Sequence, residues 1–338
     1  MKIIECVPNF SEGRNSDTFQ KMRASLKDVE NCKLLNLEPD VDYNRVVVTL
    51  AGNEEGILEG VIAISKTVAE CIDMTIHKGK HPRLGAIDVV PFVPIKNVTM
   101  EECVKISEKY AEKISIDLNV PVYLYEASAK KPERRNLSYI RKGEYEALRE
   151  KLKVPEWQPD YGKSEFNPKL GAIVTGARFF LIAYNVNILC EDVKYAKEIS
   201  EILRESGRPE RDENGNVVKV DGKTVRIPGR LKSVKGMGVS LEKHHLTQVS
   251  MNLTDYNITP VHVAFEEVKK EAARLGVKVN GSEIVGLVSL EALLQAGRFY
   301  SGGKYTDENL LVELAIEKLG LNSLNSFNKN EKVIDYMI

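Results

Sequence analysis

The chain has 338 residues, of which 43% are hydrophobic and 29% charged, a balance typical of a folded globular protein and not of a disordered one. Its 48 basic and 49 acidic residues give a net charge of −1, which excludes the broad basic excess of a general nucleic-acid binder. Any anion-binding site must therefore come from a local cluster of cations.

The five cysteines are widely spaced, and no Cys-x-x-Cys pair is present. This pattern predicts buried thiols in a reducing compartment. The opening MKIIECVPNF lacks the long apolar core and the small-residue cleavage site of a signal peptide. No apolar stretch is long enough to span a membrane. We therefore expect a cytoplasmic protein with no membrane partner.

The first part of the chain alternates predicted strands and helices. Asn53 is a candidate N-cap, and Thr99 with Glu102 forms a capping box. Strands are predicted near 2–7, 32–38, 45–51, 89–95 and 122–125, and helices near 16–29, 53–72 and 99–118. The first six elements follow the order strand, helix, strand, strand, helix, strand, which is the ferredoxin-like pattern, and a helix and a strand are appended to it.

Residues 130–169 are rich in Lys, Arg, Glu and Pro, which indicates a linker with one helix near 137–152 and an irregular arm. The run Ala172–Leu189 is long for one strand, and Gly176 is a candidate bulge or turn within it. Starting with this run, the second half repeats the order strand, helix, strand, strand, helix, strand, apart from a hairpin at Asp221-Gly222.

The repeated order predicts an α/β (α+β) fold of two ferredoxin-like-type subdomains, each a β-sheet with helices packed on it. We place the N-terminal subdomain, with its linker arm, at 1–170. The C-terminal subdomain, with a terminal helical tail, takes 171–338.

A loop with two histidines precedes the strand predicted at 89–95. It reads IHKGKHPRLGAIDVVPFVP from Ile76 to Pro94, and its glycines and prolines prevent a regular helix. Neighbouring cations lower the pKa of a histidine, and a neutral imidazole is the form that accepts a proton. His81 is therefore a candidate general base, with a structural histidine bonded to the backbone as the alternative. His77 is interpreted as a residue that shapes the pocket.

Three cations, Lys78, Lys80 and Arg83, surround these histidines. They form either a solvated face or a site for ligands with carboxylates, and Arg45 and Arg178 join that site if the fold brings them near. We predict no metal site, because the glycine and proline residues around the two histidines spoil the helix that would present both to one ion.

The segment Gly162–Gly171, GKSEFNPKLG, combines two lysines, an aromatic ring and two terminal glycines. This composition suits a loop that wraps a flat, anionic ligand, and a plain connector between domains is the alternative. Gly162-Lys163-Ser164 is not the end of a P-loop, because the earlier glycine of that motif is replaced by Trp157.

Five segments in order resemble the glutamate formimidoyltransferase (formiminotransferase) family. They are ECVPNFSEG at 5–13, HPRLGAIDVVPFVP at 81–94, VPVYLY at 120–125, RKGEYEAL at 141–148 and GAIVTGARFFLIAYN at 171–185. The resemblance implies transfer of a formimidoyl group from N-formimidoyl-L-glutamate to N5 of tetrahydrofolate, in histidine degradation and one-carbon metabolism. It also implies two similar α/β subdomains, a homodimer, and tetrahydrofolate as co-substrate in a charged groove.

The resemblance assigns roles to individual residues. The catalytic histidine of the family stands in its His-Pro-Arg triplet, which matches His81. The arm before the Gly-Ala-x-Val-Thr-Gly-Ala-Arg strand implies folate contacts from Gly162, Lys163, Ser164, Glu165, Phe166, Asn167, Pro168, Lys169, Leu170 and Gly171.

Two departures accompany the resemblance. Residues 209–228 form a charged insertion that is longer than expected, and the sequence given stops without the cyclodeaminase domain that some relatives carry, so we expect a transferase only. Two other functions stay open: a glutamate formyltransferase that uses N-formyl-glutamate with the same folate, and a folate-binding paralogue without catalysis.

Overall fold

The computed structural model describes residues 2–338. The chain divides into two compact units, one ending at Phe179 and the other running from Phe180 to Met337. In residues 2–338 no helix is both long enough and apolar enough to cross a membrane.

The first unit contains seven strands and five helices. The strands are β1 (Ile3–Cys6), β2 (Asn9–Phe10), β3 (Cys32–Asp40), β4 (Arg45–Gly52), β5 (Ile87–Lys96), β6 (Val122–Leu124) and β7 (Ile173–Ala177). The helices are α1 (Ser16–Ala24), α2 (Glu54–Cys71), α3 (Met100–Asp117), α4 (Leu137–Ile140) and α5 (Glu144–Lys151). Short 3₁₀ turns lie at Glu126–Ser128, Pro132–Arg135 and Pro155–Trp157.

The sheet of the first unit has the strand order β3-β4-β1/β2-β5-β7-β6. Both β1 and β2 pair antiparallel with β4 on one side and with β5 on the other. The order β5-β1-β4-β3 is that of a ferredoxin-like sheet, so the predicted fold class is confirmed. The predicted appended strand is β6, and β7 lies between it and β5, paired in parallel with both.

The core of this unit lies on one face of the sheet, where α1, α2 and α3 contribute residues such as Met22, Ile57 and Ile106. Because side chains alternate along a strand, Phe10, Val46 and Ile87 enter this core. Their neighbours Asn9, Arg45 and Asp88 project from the opposite face of the sheet, and these residues form the candidate site below.

The segment between β6 and β7 covers part of that opposite face. Ile140, Leu148 and Leu152 pack there against strand residues such as Tyr123 and Val174. The single helix predicted near 137–152 is instead two helices, α4 and α5. Gly143 separates them with φ of 80°, a left-handed conformation that interrupts a right-handed helix.

The second unit begins with β8 (Ile182–Ile188) and α6 (Val193–Leu203), and its sheet is completed by β13 (Val234–Leu241), β14 (Leu246–Leu253) and β15 (Val279–Val285). Between α6 and β13 stand β9 (Arg208–Pro209), β10 (Lys219–Val220), β11 (Lys223–Thr224) and β12 (Arg226–Ile227). The remaining helices are α7 (Val261–Arg274), α8 (Leu290–Ser301), α9 (Glu308–Leu319), α10 (Lys329–Lys332) and α11 (Ile334–Met337), and a 3₁₀ turn lies at Glu242–His244.

The four-stranded sheet of the second unit has the order β13-β14-β8-β15 with antiparallel neighbours, so the ferredoxin-like order occurs again. The predicted hairpin in the insertion is present, because β10 pairs with β11. Asp221 and Gly222 between them have φ of 50° and 74°, as a type I′ turn requires.

The run Ala172–Leu189, noted above as long for one strand, is two strands that belong to different units. Its first part, β7, is paired into the sheet of the first unit, so the compact units divide between 179 and 180 and not at the predicted boundary between 170 and 171. Gly176 lies inside β7, and a Cβ atom there would stand 2.3 Å from the carbonyl oxygen of Tyr125. Close contact with that backbone, and not a break in the strand, explains the glycine.

Candidate functional site

The loop that carries His81 connects α2 to β5 and is hydrogen-bonded to the turn between β3 and β4. Asn44 of that turn makes the bond: its Nδ2 donates to the carbonyl oxygen of Lys78 at 2.9 Å. Its Oδ1 accepts from the backbone nitrogen of Gly13 at 2.9 Å. Asn44 has φ of 51°, a conformation that asparagine tolerates better than most residues. The loop is therefore held against the start of β4, where Arg45 lies.

The far end of the loop is joined to the end of the arm. Gly85 and Gly171 form an isolated antiparallel bridge, and the backbone nitrogen of Ala86 donates to the carbonyl oxygen of Leu170 at 2.9 Å. The two segments singled out from the sequence are thus neighbours in space.

His81 is half-buried between a guanidinium and a carboxylate. Its Nε2 is 3.0 Å from Nη1 of Arg45, and its Nδ1 is 3.9 Å from Oδ2 of Asp88. A guanidinium can only donate, so Nε2 must be the acceptor and the neutral ring carries its proton on Nδ1. That proton faces Asp88 across a gap too long for a hydrogen bond. The ring of Tyr43 lies edge-on to the imidazole, with 6.5 Å between centroids.

Asp88 is held in place by two other groups. Its Oδ1 accepts from the backbone nitrogen of Leu84 at 3.0 Å and from Nε of Arg141 at 3.3 Å, and its Oδ2 accepts from Nη2 of Arg141. Burial raises the pKa of Asp88 above its ordinary value, and the charge and hydrogen bonds of Arg141 oppose this rise. We take the paired carboxyl as ionised at neutral pH, because its donors favour the charged form.

Desolvation and nearby cations lower the pKa of His81 to about 3, with burial as the largest cause and Arg45 and Arg141 next. The predicted direction is confirmed, but the neighbours responsible differ. Arg83 of its own loop also lowers this pKa, but it ranks after Arg45 and Arg141. His81 is therefore neutral at pH 7 in the free protein, with a lone pair that Arg45 occupies.

His77 is tied to the same turn. Its Nε2 lies 3.2 Å from the carbonyl oxygen of Asn44, and burial lowers its pKa. Within residues 2–338 its Nδ1 is buried without a hydrogen-bond partner. His77 lines the same small recess as His81, together with Asn9, Ser11 and Asp88, which agrees with its predicted place beside the candidate base.

The predicted cations do not form one cluster. Arg83 is buried and paired with Glu144 and Glu146, at 2.9 and 2.7 Å. Lys78 and Lys80 are exposed. Arg178 follows β7, where its charge acts on Glu5 and Tyr125.

Arg45 remains as the arginine that contacts His81. It also donates to Oδ1 of Asn9 at 3.4 Å. Its Nε is buried without a partner in the described part of the chain. None of the ion pairs found among residues 2–338 includes Arg45.

The predicted folate arm, Gly162–Gly171, is anchored at several points. Phe166 packs against Tyr145 with ring centroids 5.5 Å apart, and Arg149 lies over it at 4.7 Å. The hydroxyl of Ser164 donates to the carbonyl oxygen of Leu152 at 2.7 Å. The arm is thus packed on α5 with its ring partly buried.

The two lysines of the arm differ in their surroundings. Lys163 is exposed, whereas Nζ of Lys169 donates to the carbonyl oxygen of Glu70 at 3.3 Å. Lys169 and Asn167 line a surface groove of about 460 Å³, which Lys66 and Asp117 also line. None of the residues lining this groove lines the recess around His81. The predicted base and the lysine of the predicted arm therefore border separate concavities.

The sequence did not single out Asp88 as the partner of His81, nor Arg141, Asn9 and Tyr43. Arg141 is the first residue of the segment 141–148, which carries part of the family resemblance. That position was the only indication in the sequence that Arg141 belongs to the site. In residues 2–338 no group of three or more His, Cys, Asp or Glu side chains is arranged to hold a metal ion.

Both parts of the chain match domains of a known protein family. Residues 3–178 match the formiminotransferase domain, N-terminal subdomain, and residues 183–338 match the formiminotransferase domain. The gap between the two matches contains the division between the two compact units.

Individual relatives give the same result. The chain is 46% identical to the formimidoyltransferase-cyclodeaminase of Dictyostelium discoideum over 340 residues, which is 100% of this chain and 60% of that protein. It is 42% identical to the glutamate formimidoyltransferase of Streptococcus pyogenes serotype M1, covering 88% of this chain and 93% of that protein. It is 38% identical to the glutamate formimidoyltransferase of Thermoplasma acidophilum, covering 94% and 98%. Because both parts are matched and these two shorter relatives are covered almost end to end, the chain belongs to the formiminotransferase domain family.

Proposed function

We propose that the protein transfers the formimidoyl group of N-formimidoyl-L-glutamate to N5 of tetrahydrofolate, giving 5-formimidoyltetrahydrofolate and L-glutamate. The observation that carries the proposal is the half-buried, neutral imidazole of His81, held between the guanidinium of Arg45 and the carboxylate of Asp88. The relatives named glutamate formimidoyltransferase support the assignment of donor and reaction. Tetrahydrofolate is a co-substrate here, and the proposal needs no metal.

The reaction needs one proton carrier. N5 attacks the amidine carbon, a bond forms between them, and the N5 proton passes to Nε2 of His81. The bond from that carbon to the glutamate nitrogen then breaks as Nε2 returns the proton to this nitrogen. His81 ends neutral, so the proton and the electron pairs balance over the cycle. A histidine can serve in turn as base and acid in this way.

Asp88 and Arg141 support the charge changes at His81. When the ring takes up a proton it becomes an imidazolium, and Asp88 then lies beside it as an opposite charge. Arg141 fixes the position of that carboxylate by two hydrogen bonds. Asp88 is thus a positioning residue whose negative charge, 3.9 Å from Nδ1, favours the tautomer with the proton on Nδ1.

For the folate we propose the arm Gly162–Gly171 as the contact segment. Its support is the bridge between Gly85 and Gly171, which places the end of the arm beside the histidine loop. The exposed Lys163 and Lys169 supply cations for the glutamate tail of folate. The separation between the groove at Lys169 and the recess at His81 agrees with a long ligand whose reactive N5 lies far from its carboxylates.

We also propose that the protein is a homodimer of the cytoplasm. The five cysteines are all free thiols in the structure, which agrees with a reducing compartment. Light scattering on the purified protein measures its mass in solution, and a monomer at all concentrations would refute the dimer.

A donor screen with tetrahydrofolate tests the function. N-formimidoyl-L-glutamate and N-formyl-L-glutamate are offered separately and in competition, and the absorbance of the folate product is followed. We expect product from the formimidoyl donor at the higher kcat/KM. A preference for the formyl donor would indicate a glutamate formyltransferase. Folate binding without single-turnover product from either donor would indicate a non-catalytic binding protein.

A further inference from the structure

The lone pair that His81 needs as a base is occupied in the free protein. Nη1 of Arg45 lies 3.0 Å from Nε2, the nitrogen assigned above to proton transfer. A proton cannot reach Nε2 from a substrate while a guanidinium donates to it. Either a different nitrogen accepts the proton of the substrate, or the guanidinium of Arg45 moves away when the substrate binds.

The guanidinium of Arg45 is not fully hydrogen-bonded in the free protein. Its guanidinium is partly buried, its Nε has no partner in the described residues, and burial lowers its pKa. Asp40 and Asp88 act on it only through their charges. An arginine without a carboxylate partner binds an incoming carboxylate well, since its planar fork matches two oxygens.

The proposed donor places such a carboxylate beside the reacting nitrogen. In N-formimidoyl-L-glutamate the leaving nitrogen and the α-carboxylate are attached to the same Cα, so the carboxylate carbon lies about 2.5 Å from that nitrogen by ordinary bond lengths. When Nε2 of His81 reaches the leaving nitrogen, the α-carboxylate is necessarily near Arg45. The carboxylates of folate stand at the far end of its tail and cannot take this place.

We propose that Arg45 caps the proton-accepting nitrogen of His81 in the free protein and that the α-carboxylate of the donor draws the guanidinium away when it binds. This inference rests on the proposed function. It makes Arg45 a positioning residue that couples recognition of the donor to release of the base. In this arrangement Nε2 of His81 is free to accept a proton only when a donor with an α-carboxylate is bound.

The charged and titratable groups around His81 come from five segments. They are Arg45 on β4, Asp88 on β5, Arg141 after α4, Asp40 at the end of β3 with Tyr43 in the turn that follows, and Arg83 and His77 on its own loop. Arg83 is paired with two glutamates and Arg141 with Asp88. Arg45 is therefore the cation of this group that is left for a ligand.

Nitrogen-15 NMR of the histidine rings tests the cap directly, with His81→Asn used to assign the His81 signals. In the free protein we expect the tautomer with the proton on Nδ1, neutral down to acid pH. Saturating L-glutamate, which has the α-carboxylate, should raise the His81 pKa by about 1 to 3, since a neighbouring cation has been neutralised. Saturating 4-aminobutyrate, which lacks it, should leave the titration unchanged.

Variants provide a second measurement. Arg45→Gln should show the raised His81 pKa without any ligand, and Arg23→Gln, an exposed arginine of α1, should titrate as the wild type. The inference is overturned if L-glutamate leaves the His81 titration unchanged or if 4-aminobutyrate shifts it equally. It is also overturned if the pKa of His81 in Arg45→Gln is as low as in the wild type.

Turnover of a decarboxylated donor completes the test. With N-formimidoyl-4-aminobutyrate as the donor, the wild type should have a lower kcat than with N-formimidoyl-L-glutamate. The fall should approach the ~10²–10⁴-fold loss that follows removal of a general base, in addition to any change in KM. In Arg45→Gln the difference in kcat between the two donors should disappear. An equal kcat for both donors in the wild type contradicts the cap, whereas no turnover with any donor contradicts the proposed function itself.

Discussion

Gly85 and Gly171 pair across an antiparallel bridge that joins the histidine loop to the end of the arm. A Cβ atom on Gly85 would stand 2.2 Å from the carbonyl oxygen of Leu170 and 2.5 Å from that of Ala172. Both obstacles are backbone atoms, so a side chain fits only if the two segments separate.

Gly85→Ala should therefore loosen both segments. We expect a loss of ~1–3 kcal/mol in the free energy of unfolding, the usual range for overpacking, and a fall in kcat because the His81 loop shifts. Urea unfolding and initial rates measure the two effects. Gly236→Ala on β13 is the control, since its Cβ would have ordinary contacts of 3.4 Å or more. An unchanged Gly85→Ala protein would show that the bridge is not needed.

Local sequence patterns correctly predicted the ferredoxin-like order of the main strands and helices, the capping box at Thr99 and the turn at Asp221-Gly222. Each of these depends on residues close together in the chain. The pairing of β7 with β5 and β6 was missed, because a parallel partner leaves no local trace in the sequence.

The candidate site was predicted only in part for the same reason. His81 and its loop were found from the residue types within a short stretch. The partners of Arg83, Glu144 and Glu146, are 61 and 63 positions away in the chain, and Arg141 is 53 positions from its partner Asp88. Charge counting along the chain therefore placed Arg83 among the free cations and overlooked the carboxylate beside His81.

Glu5 provides a test through the pH dependence of stability. It lies on β1 opposite Ala51 and Val93, and burial raises its pKa to about 7 from an ordinary value of 4.5, with Arg178 opposing. The folded state thus retains a proton that the unfolded state releases. The resulting stability is fully present below pH 4.5 and is lost as the pH rises through 7.

At pH 8 the ionised Glu5 should therefore cost about 3 kcal/mol relative to pH 4, taking 1.36 kcal/mol for each pKa unit. Glu5→Gln should remove this component and be the more stable protein at pH 8. Urea unfolding of both proteins between pH 4 and 8 measures the slope. Glu30→Gln, an exposed neighbour of β3, should keep the wild-type slope. An identical slope in Glu5→Gln would contradict the raised pKa.

The arm lysines test the folate proposal. Lys163→Ala with Lys169→Ala should raise the KM for tetrahydrofolate more than it lowers kcat, because the cations act on the tail of the ligand and not on the reacting atoms. Lys153→Ala is the control, since Lys153 is exposed and pairs with Glu150. Calorimetry with folate measures binding directly, and an unchanged affinity in the double variant would remove the arm lysines from the folate site.

The two histidines of the loop differ in what their substitution should do. His81→Asn keeps a polar side chain of similar shape but cannot carry the proton. We expect kcat to fall by ~10²–10⁴-fold, as for loss of a general acid–base group, with little change in folate affinity. His77→Asn should be milder, because His77 contacts the backbone of Asn44 and helps to shape the recess.

The pH profile separates these roles further. The rate constant kcat/KM reports groups of the free enzyme, so its acid limb from His81 should lie near pH 3, where the lowered pKa puts it, and not near 6.5. The ring is neutral and able to accept a proton above that limb and is blocked by protonation below it. His81→Asn should lose the limb and His77→Asn should keep it. Near-normal turnover in His81→Asn, or greater damage from His77→Asn, would move the proton carrier away from His81.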